Sequence, residues 1–431
     1  MNKLTQDIAG VSRVDPDALD GCQVPRITIN AFCETQAAAD TIAAAAADRR
    51  MARASVDVRV GGIPDAVELY RDRPSPDLLV LESRASGEDL LNELNSLAEV
   101  CDAETKVMVI GTSNDVMLYR KLLERGIGDY LVGPVRGPSF IAAIDRLYRD
   151  SGPKKLGKTC AFIGAKGGVG ASTVAHNVAW TLARDLKTNV VLADMDLPFG
   201  TAGLDFNIDA DQGIAEAIDD SGRLDELLLD RLLVQCNDHL SLLTAPAVLG
   251  RSYDFDETAF EQMLEIARGH APTVVLDVPH LWTAWAQRTL VSADEVVIVA
   301  APDLANLRNA KSLVEFMIKA RPNDAPPKLV LNLLGVANRP EIDPAEFASA
   351  VRLEPIAKIA FDAALFGLAA NKGQMIADVS ARSPACATFS DIARVIAGRG
   401  DIKARRKSSL AARLLAMLTL GLLPAQSAAT R

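Results

Sequence analysis

The densest chemistry in the chain lies at residues 165–180, Ala-Lys-Gly-Gly-Val-Gly-Ala-Ser-Thr-Val-Ala-His-Asn-Val-Ala-Trp. Glycines 167, 168 and 170 stand between a lysine and a hydroxyl pair. Glycine adopts backbone conformations that other residues avoid, so the main chain can approach an anion closely. The apolar run TCAFIGA (159–165) predicts a strand before the loop, and the residues after Gly170 predict a helix. Loop N–H groups and a helix N-terminus then make a positive site for phosphate. A hydroxyl at Ser172 stands where such loops hold Mg²⁺. An unliganded glycine-rich turn is the competing reading, but Lys-Gly-Gly-Val-Gly-x-Ser-Thr is far more specific than a lone glycine turn.

Further polar residues end apolar runs. Asp194 and Asp196 close NVVLADMD (189–196), Asp277 lies in TVVLDVP (273–279), and Asn332 lies in KLVLNLLG (328–335). Ligand sites of open α/β sheets lie at strand ends, where a carboxylate can also serve as a cap. His176 falls about one turn into the helix after the loop, a position for core packing or a surface face. His280 follows Asp277 closely, where it could line the site, and Trp282 and Trp285 stand three apart on a helical segment as packing or interface residues.

The elements that position these groups are legible as alternating strands and helices. In the first third, strands are expected at 26–33, 54–62, 77–83, 106–113 and 129–135, with helices near 34–47, 87–100, 115–125 and 139–149. That alternation predicts a small parallel α/β domain. SGPKKLGK (151–158) combines Gly, Pro and Lys and is expected to be a linker. A second α/β unit follows, with strands at 159–165, 189–196, 241–245, 273–279, 295–302, 328–335 and 355–361, and a helical or irregular region at 367–398.

Composition sets outer limits. The 431 residues are 49% hydrophobic and 24% charged, which excludes a chain disordered throughout or a collagen-like one. A net charge of -10, from 46 Lys+Arg and 56 Asp+Glu, disfavours general nucleic-acid binding. Six scattered cysteines form no CxxC pair, and only four histidines are present, so neither a disulfide scaffold nor a His-rich metal centre is expected. The first residues show no secretory pattern, and no run of about 18 apolar residues exists.

The loop resembles the deviant Walker A motif of the MinD/ParA class of P-loop ATPases, KGGxGK[ST], and the resemblance spans about 158–398. It implies two doubly wound domains, a receiver-like (flavodoxin-like) one followed by a MinD/ParA-type P-loop NTPase domain. It also implies ATP and Mg²⁺ as cofactors, held by Lys166, Gly167, Gly168, Val169, Gly170, Ala171, Ser172 and Thr173. Asp196 matches the position that orients attacking water, and Asp194 and Asp277 match positions near Mg²⁺ alongside Ser172. Asn332 matches a position that often meets adenine. Lys166 matches the signature lysine that reaches phosphate across a nucleotide-sandwich homodimer. Two positions depart: Ala165 replaces a glycine, and Ala171 replaces the lysine that reaches the β/γ-phosphates. Loss of that cation removes an electrostatic contact central to phosphoryl transfer, so binding is expected with slow hydrolysis.

The front domain, 26–150, narrows the resemblance to the CpaE/TadZ proteins of tight-adherence (Flp-type) pilus assembly, and the stretch 361–389 is also similar to that subfamily. A working receiver needs an Asp ending its third strand and a Lys after its fifth. Here Glu82 and Gly133-Pro134 stand near those positions, with Cys33-Glu34 near the acidic pair and Thr112 and Ser113 after the fourth strand. A pseudo-receiver used for docking or dimerisation is expected.

The domain plan is therefore a tail at 1–25, a pseudo-receiver at 26–150, a linker at 151–158, an ATPase-like domain at 159–400 and a basic-apolar tail at 401–431. In the last, Lys403, Arg405, Arg406 and Lys407 precede an apolar run, Leu410–Leu423, too short to span a bilayer. It suits either an anionic membrane surface or a protein partner. The resulting expectation is an ATP-binding switch that localises pilus secretion-machine proteins, cytoplasmic and peripheral at the inner membrane at a pole. A non-hydrolysing scaffold and a DNA-partitioning ATPase are the alternatives.

Overall fold

The computed structural model describes Leu19, residues 22–149, 156–210, 212–219, 224–245, 250, 253 and 255–399. The basic-apolar tail and most of the expected N-terminal tail and linker lie outside the described residues.

The front domain has five parallel strands: β1 (Thr28–Cys33), β2 (Ser55–Val60), β3 (Leu78–Glu82), β4 (Lys106–Gly111) and β5 (Asp129–Val132), in the order β2-β1-β3-β4-β5. Successive side chains of a strand point to opposite faces. Leu78 and Val80 thus join Ile42, Phe140 and Ile144 on one face, while Leu79 and Leu81 join Leu90, Leu94, Leu118 and Leu122 on the other. Strands buried on both faces read as the near-continuous apolar runs seen in the sequence. One helix was not expected, Ile63–Tyr70. It starts directly after Gly61-Gly62 and carries Pro64 in its first turn, a placement proline tolerates because that N–H has no helical partner.

The second domain has eight strands: β6 (Lys158–Gly164), β7 (Val190–Asp194), β8 (Val234–Asn237), β9 (Leu240–Leu243), β10 (Thr273–Val278), β11 (Glu295–Ala300), β12 (Lys328–Leu334) and β13 (Pro355–Ala360). Their order is β13-β12-β11-β6-β10-β7-β9-β8, parallel except for the β8–β9 hairpin. β8, a polar strand, is the other element the sequence does not announce. Lys158, the last residue of the expected linker, already belongs to β6. The region 367–398 contains helices Ala363–Lys372, Ile376–Val379 and Pro384–Ile396. β6 is central, flanked by β10 and β11, and the chain leaves it for β7 on the far side of β10. Open α/β sheets place their ligand crevice at such a reversal, beyond the carboxyl ends of the strands.

The two domains meet at the opposite end of this sheet. Arg49, in the turn Arg49–Met51, reaches Asp294 at 3.1 Å and Asp324 at 3.0 Å. Asp294 immediately precedes β11, and its other oxygen accepts from Thr159 N at 2.9 Å and from Arg268 at 3.0 Å. Arg321 and the short Arg50 contact complete the partners of Asp324. All these side chains are nearly excluded from water, so their charges must be paired to be tolerated. The front domain therefore sits at the amino ends of β6 and β11, away from the glycine loop.

Candidate functional site

β6 delivers Gly164 to the carboxyl edge of the sheet, and the loop turns directly into the helix Ala171–Leu186. Gly168 and Gly170 take φ of +77° and +80°, in the left-handed region that favours glycine. A Cβ at Gly167 or Gly168 would meet nothing within 4 Å, whereas one at Gly170 would lie 2.7 Å from Asn332 Nδ2. The loop is thus open on the outside and tightly supported beneath.

Three side chains supply that support. Asn332 Nδ2 donates to Val169 O at 2.8 Å, and Asn309 Nδ2 donates to Ala165 O at 2.8 Å. His280 Nδ1 lies 2.8 Å from Gly164 O, so it carries the proton and donates. A main-chain bond from Ala165 N to Val299 O, 2.8 Å, ties the loop to β11. Pinning the carbonyls beneath fixes which way the peptide N–H groups face, the condition for an anion cradle. Asn332 is buried and makes this loop contact; Asn309 and His280 perform the same work, and neither belongs to the sequence motif.

The expected residues converge, with different exposures. Lys166, Gly167 and Gly168 are exposed at the rim, Val169 is buried, and Gly170, Ala171, Ser172 and Thr173 are half-buried. Asp194 and Asp277 are direct neighbours across the β7–β10 pairing. Both are buried, and Asp194 accepts from Asp196 N at 3.2 Å and from Ala202 N at 3.0 Å. Burial, then the neighbouring Asp277 carboxylate, push the Asp194 carboxyl up from its ordinary range, against the opposing pull of His176. Asp196 is half-buried, accepts from Phe199 N at 3.3 Å, and is raised mainly by desolvation.

His176 is fully buried and belongs to this constellation. Its Nδ1 lies 2.8 Å from Asp205 Oδ2, and its Nε2 lies 3.3 Å from Asp277 Oδ2 in an orientation that makes no hydrogen bond. Burial alone would lower its pKa; the hydrogen bond with Asp205 and the nearby Asp277 and Asp205 carboxylates outweigh that and raise it to about 10. The imidazolium partly offsets the crowding of Asp194 and Asp277. Of the two placements the sequence leaves open for His176, core or surface face, the structure has the core, and the partners it meets come from segments far off in sequence. Trp285 packs against Phe260 with ring centroids 4.6 Å apart, and Trp282 is exposed and edge-on to Phe316.

These residues suit a Mg²⁺-nucleotide. Mg²⁺ takes one or two carboxylates together with phosphate oxygens and water, so it needs no all-protein cage. Ser172, Asp194 and Asp277 are the residues that would hold it, beside a glycine loop with free space outside it and the N-terminus of a 16-residue helix.

In the front domain, the crevice expected of a receiver is filled by its own contacts. Glu82, ending β3, accepts from Thr35 N at 2.8 Å and from Thr35 Oγ1 at 2.9 Å. Tyr130 Oη donates to Ser113 O at 2.9 Å, and a Cβ on Gly111 would collide with it.

Among the described residues, no helix is long and apolar enough to cross a membrane.

Comparison with known proteins agrees with this geometry. Residues 157–327 match the family model of an AAA domain. The septum site-determining protein MinD of Synechocystis is 31% identical over 151 residues, 35% of this chain and 55% of that protein. The chain thus spans about half the length of the curated relative it matches. The structure of MinD from Pyrococcus horikoshii complexed with Mg-ADP is 18% identical, covers 58% of this chain and 100% of that one, and has a TM-score of 0.50. A pilus assembly protein CpaE from Caulobacter crescentus is 47% identical, covers 29% of this chain and 96% of that one, and has a TM-score of 0.29. Residues 157–327 are therefore similar to an AAA domain, and the unit around them shares its α/β fold with the MinD structure.

Proposed function

We propose that this protein is an ATP-binding switch of MinD/ParA type that turns over slowly and serves to localise and assemble a tight-adherence pilus secretion machine. The carrying observation is the loop itself: an open glycine cradle braced by Asn332, Asn309 and His280, with Lys166 at its exposed rim and Ala171 where a second cation is expected.

In this reading, the N–H groups of residues 167–172 bind the phosphates. Ser172 and the Asp194–Asp277 pair hold Mg²⁺, which supplies neutralisation of phosphate charge when bound. Asp196 orients water. Lys166 projects outward and serves a second copy of the chain. Phe199, Leu204 and Leu304, all exposed by two thirds or more, provide apolar area on segments adjoining the site. Ala171 withholds a charge that would grow in value as the transition state forms, so chemistry loses more than binding. The pilus role rests on the sequence resemblance of the front domain and of residues 361–389. Pilus-machine proteins would engage the closed dimer.

Ala171 equally favours a second reading, a nucleotide-stabilised scaffold that does not hydrolyse. Both are judged by measuring ATP occupancy and phosphate release on the same sample. Occupancy with slow release, abolished by Asp196→Asn while occupancy persists, supports the switch. Occupancy with no release supports the scaffold, and no occupancy refutes both.

A further inference from the structure

Three separate pieces of chain meet at one side chain. His176 comes from the helix behind the phosphate loop, Asp277 from the end of β10, and Asp205 from the short helix Ala202–Asp205. The imidazole is wholly removed from water, and its two nitrogens face the two carboxylates, at 2.8 Å from Asp205 and 3.3 Å from Asp277. Phe206 lies against it at 5.9 Å between ring centroids, and Trp180 holds Phe206 from the other side at 6.0 Å. Asp194 adds a second tether, accepting from Ala202 N at 3.0 Å at the start of the same short helix.

The two sides of the imidazole are not equivalent. The Asp205 side is a formed hydrogen bond. The Asp277 side is close but poorly directed, and Nε2 is left buried without a hydrogen-bond partner. A buried polar atom without a partner is unfavourable, so a small movement that gives Nε2 a partner is favoured. Asp205 can follow such a movement because it lies on a four-residue helix and is partly open to solvent.

We propose that His176 is a positioning residue that ties Asp277 to the segment 196–208, so that the arrangement of that segment follows what is bound at the phosphate loop. Its nucleotide dependence rests on the nucleotide-binding reading above; the tie itself does not. The coupling runs through contiguous contacts: loop helix to His176, His176 to Asp205, and Asp205 to Thr201 at 3.3 Å, two residues after Phe199 in the turn that starts at Asp196. A two-sided histidine does this where a Val or Leu could only pack, because it senses the position of a carboxylate on each side.

Amide hydrogen exchange on the full chain tests this, with His176→Leu, Asp205→Ala, the double variant and His176→Asn, each free and with Mg²⁺ and a slowly hydrolysed ATP analogue. In the free protein, each of the first two should speed exchange across 202–208 by about tenfold, and the double should add little, because both remove one bond. With the analogue, the unaltered chain should gain protection across 196–208, while His176→Leu binds the analogue within about threefold and gains none. His176→Asn keeps a donor toward Asp205 and loses the reach to Asp277. It should exchange like the unaltered chain when free and still fail to respond to the analogue, a split that a purely structural role would not produce. Additive single effects in the free protein, or variants that respond to the analogue as the unaltered chain does, would overturn the proposal. If His176→Leu fails to fold, Asp205→Ala and His176→Asn carry the same comparison. If the unaltered chain takes up no analogue, the nucleotide reading falls, and the additivity measured in the free protein still decides the tie.

Discussion

Asn332 and Val169 stand 163 residues apart, yet the side-chain amide of one donates to the main-chain carbonyl of the other at 2.8 Å, beneath the phosphate loop. The contact is buried, and it fills the space that only a glycine at position 170 leaves open. Asn332→Ala would strand the Val169 carbonyl, at a cost of about 1–3 kcal/mol. In a domain of this size that corresponds to a fall of roughly 2–4 °C in melting temperature per kcal/mol. Nucleotide affinity should fall as well, because the loop loses its support. Thermal melts and a fluorescent-nucleotide titration check both; an unchanged melt would show that the contact carries no weight.

Ala171→Lys should restore a cation beside the β/γ-phosphates. Removing a single oxyanion donor in other enzymes costs about 10²–10³ in rate. The gain here should be at least about tenfold in phosphate release, with a smaller change in ATP affinity. Steady-state kinetics read this directly. A variant that binds more tightly and turns over no faster would mean that something other than the missing lysine limits hydrolysis.

Much of this architecture is legible in the sequence, for physical reasons that can be assigned. Doubly buried strands such as β3, β10 and β11 read as continuous apolar runs, and the phosphate loop reads from its glycines. Helix Ile63–Tyr70 is hidden because Gly61-Gly62 and Pro64 look like punctuation, although Pro64 merely occupies a first turn. β8 is hidden because VQCN is only four residues long, with Val234 and Cys236 its whole apolar face, and it is held by pairing with β9. Asn309 and Asp205 are invisible as site residues because each acts through a contact made only in three dimensions, and His280 stands out only by its closeness to Asp277. His176 reads from the sequence as a core or surface residue of the helix, and its two carboxylates come from elements that the fold alone brings together.

The Arg49 junction should be important to the whole chain. Arg49 is shared by Asp294 and Asp324, all three nearly buried, so Arg49→Ala leaves two carboxylates short of a partner. Breaking a buried ion pair on one side costs about 3–5 kcal/mol. Denaturant melts should show that loss, and limited proteolysis should begin to separate the front domain from the rest.

The same junction sets an acid sensitivity. Burial alone would raise the Asp324 carboxyl, but the hydrogen bond and charge of Arg49, with Arg321 and Arg50, hold it down at about 2. A depressed folded value stabilises the fold fully above the ordinary carboxyl pKa of about 3.9 and loses that contribution as pH falls toward 2. Asp324→Asn should flatten the stability curve between about pH 4 and 2, measured by melts across that range. An unaltered slope would remove Asp324 from the account.

The front domain should accept no phosphoryl group from acetyl phosphate. Glu82 stands where a nucleophilic Asp is needed and is already engaged by Thr35 N–H and hydroxyl. Intact-mass spectrometry after incubation checks this, and a stable phosphate adduct within residues 26–150 would contradict the pseudo-receiver reading.

The central claim is that nucleotide closes two copies of the chain across the loop carrying Lys166. Sedimentation velocity of the full chain with saturating Mg²⁺-ATP tests it most directly, with Lys166→Ala and Thr173→Ala in parallel. We expect the 45.9 kDa chain to shift to a species of twice that mass with ATP, Thr173→Ala to follow it, and Lys166→Ala to remain monomeric. A strict monomer at saturating ATP, or a Lys166→Ala variant that dimerises as readily as the unaltered chain, would contradict the account.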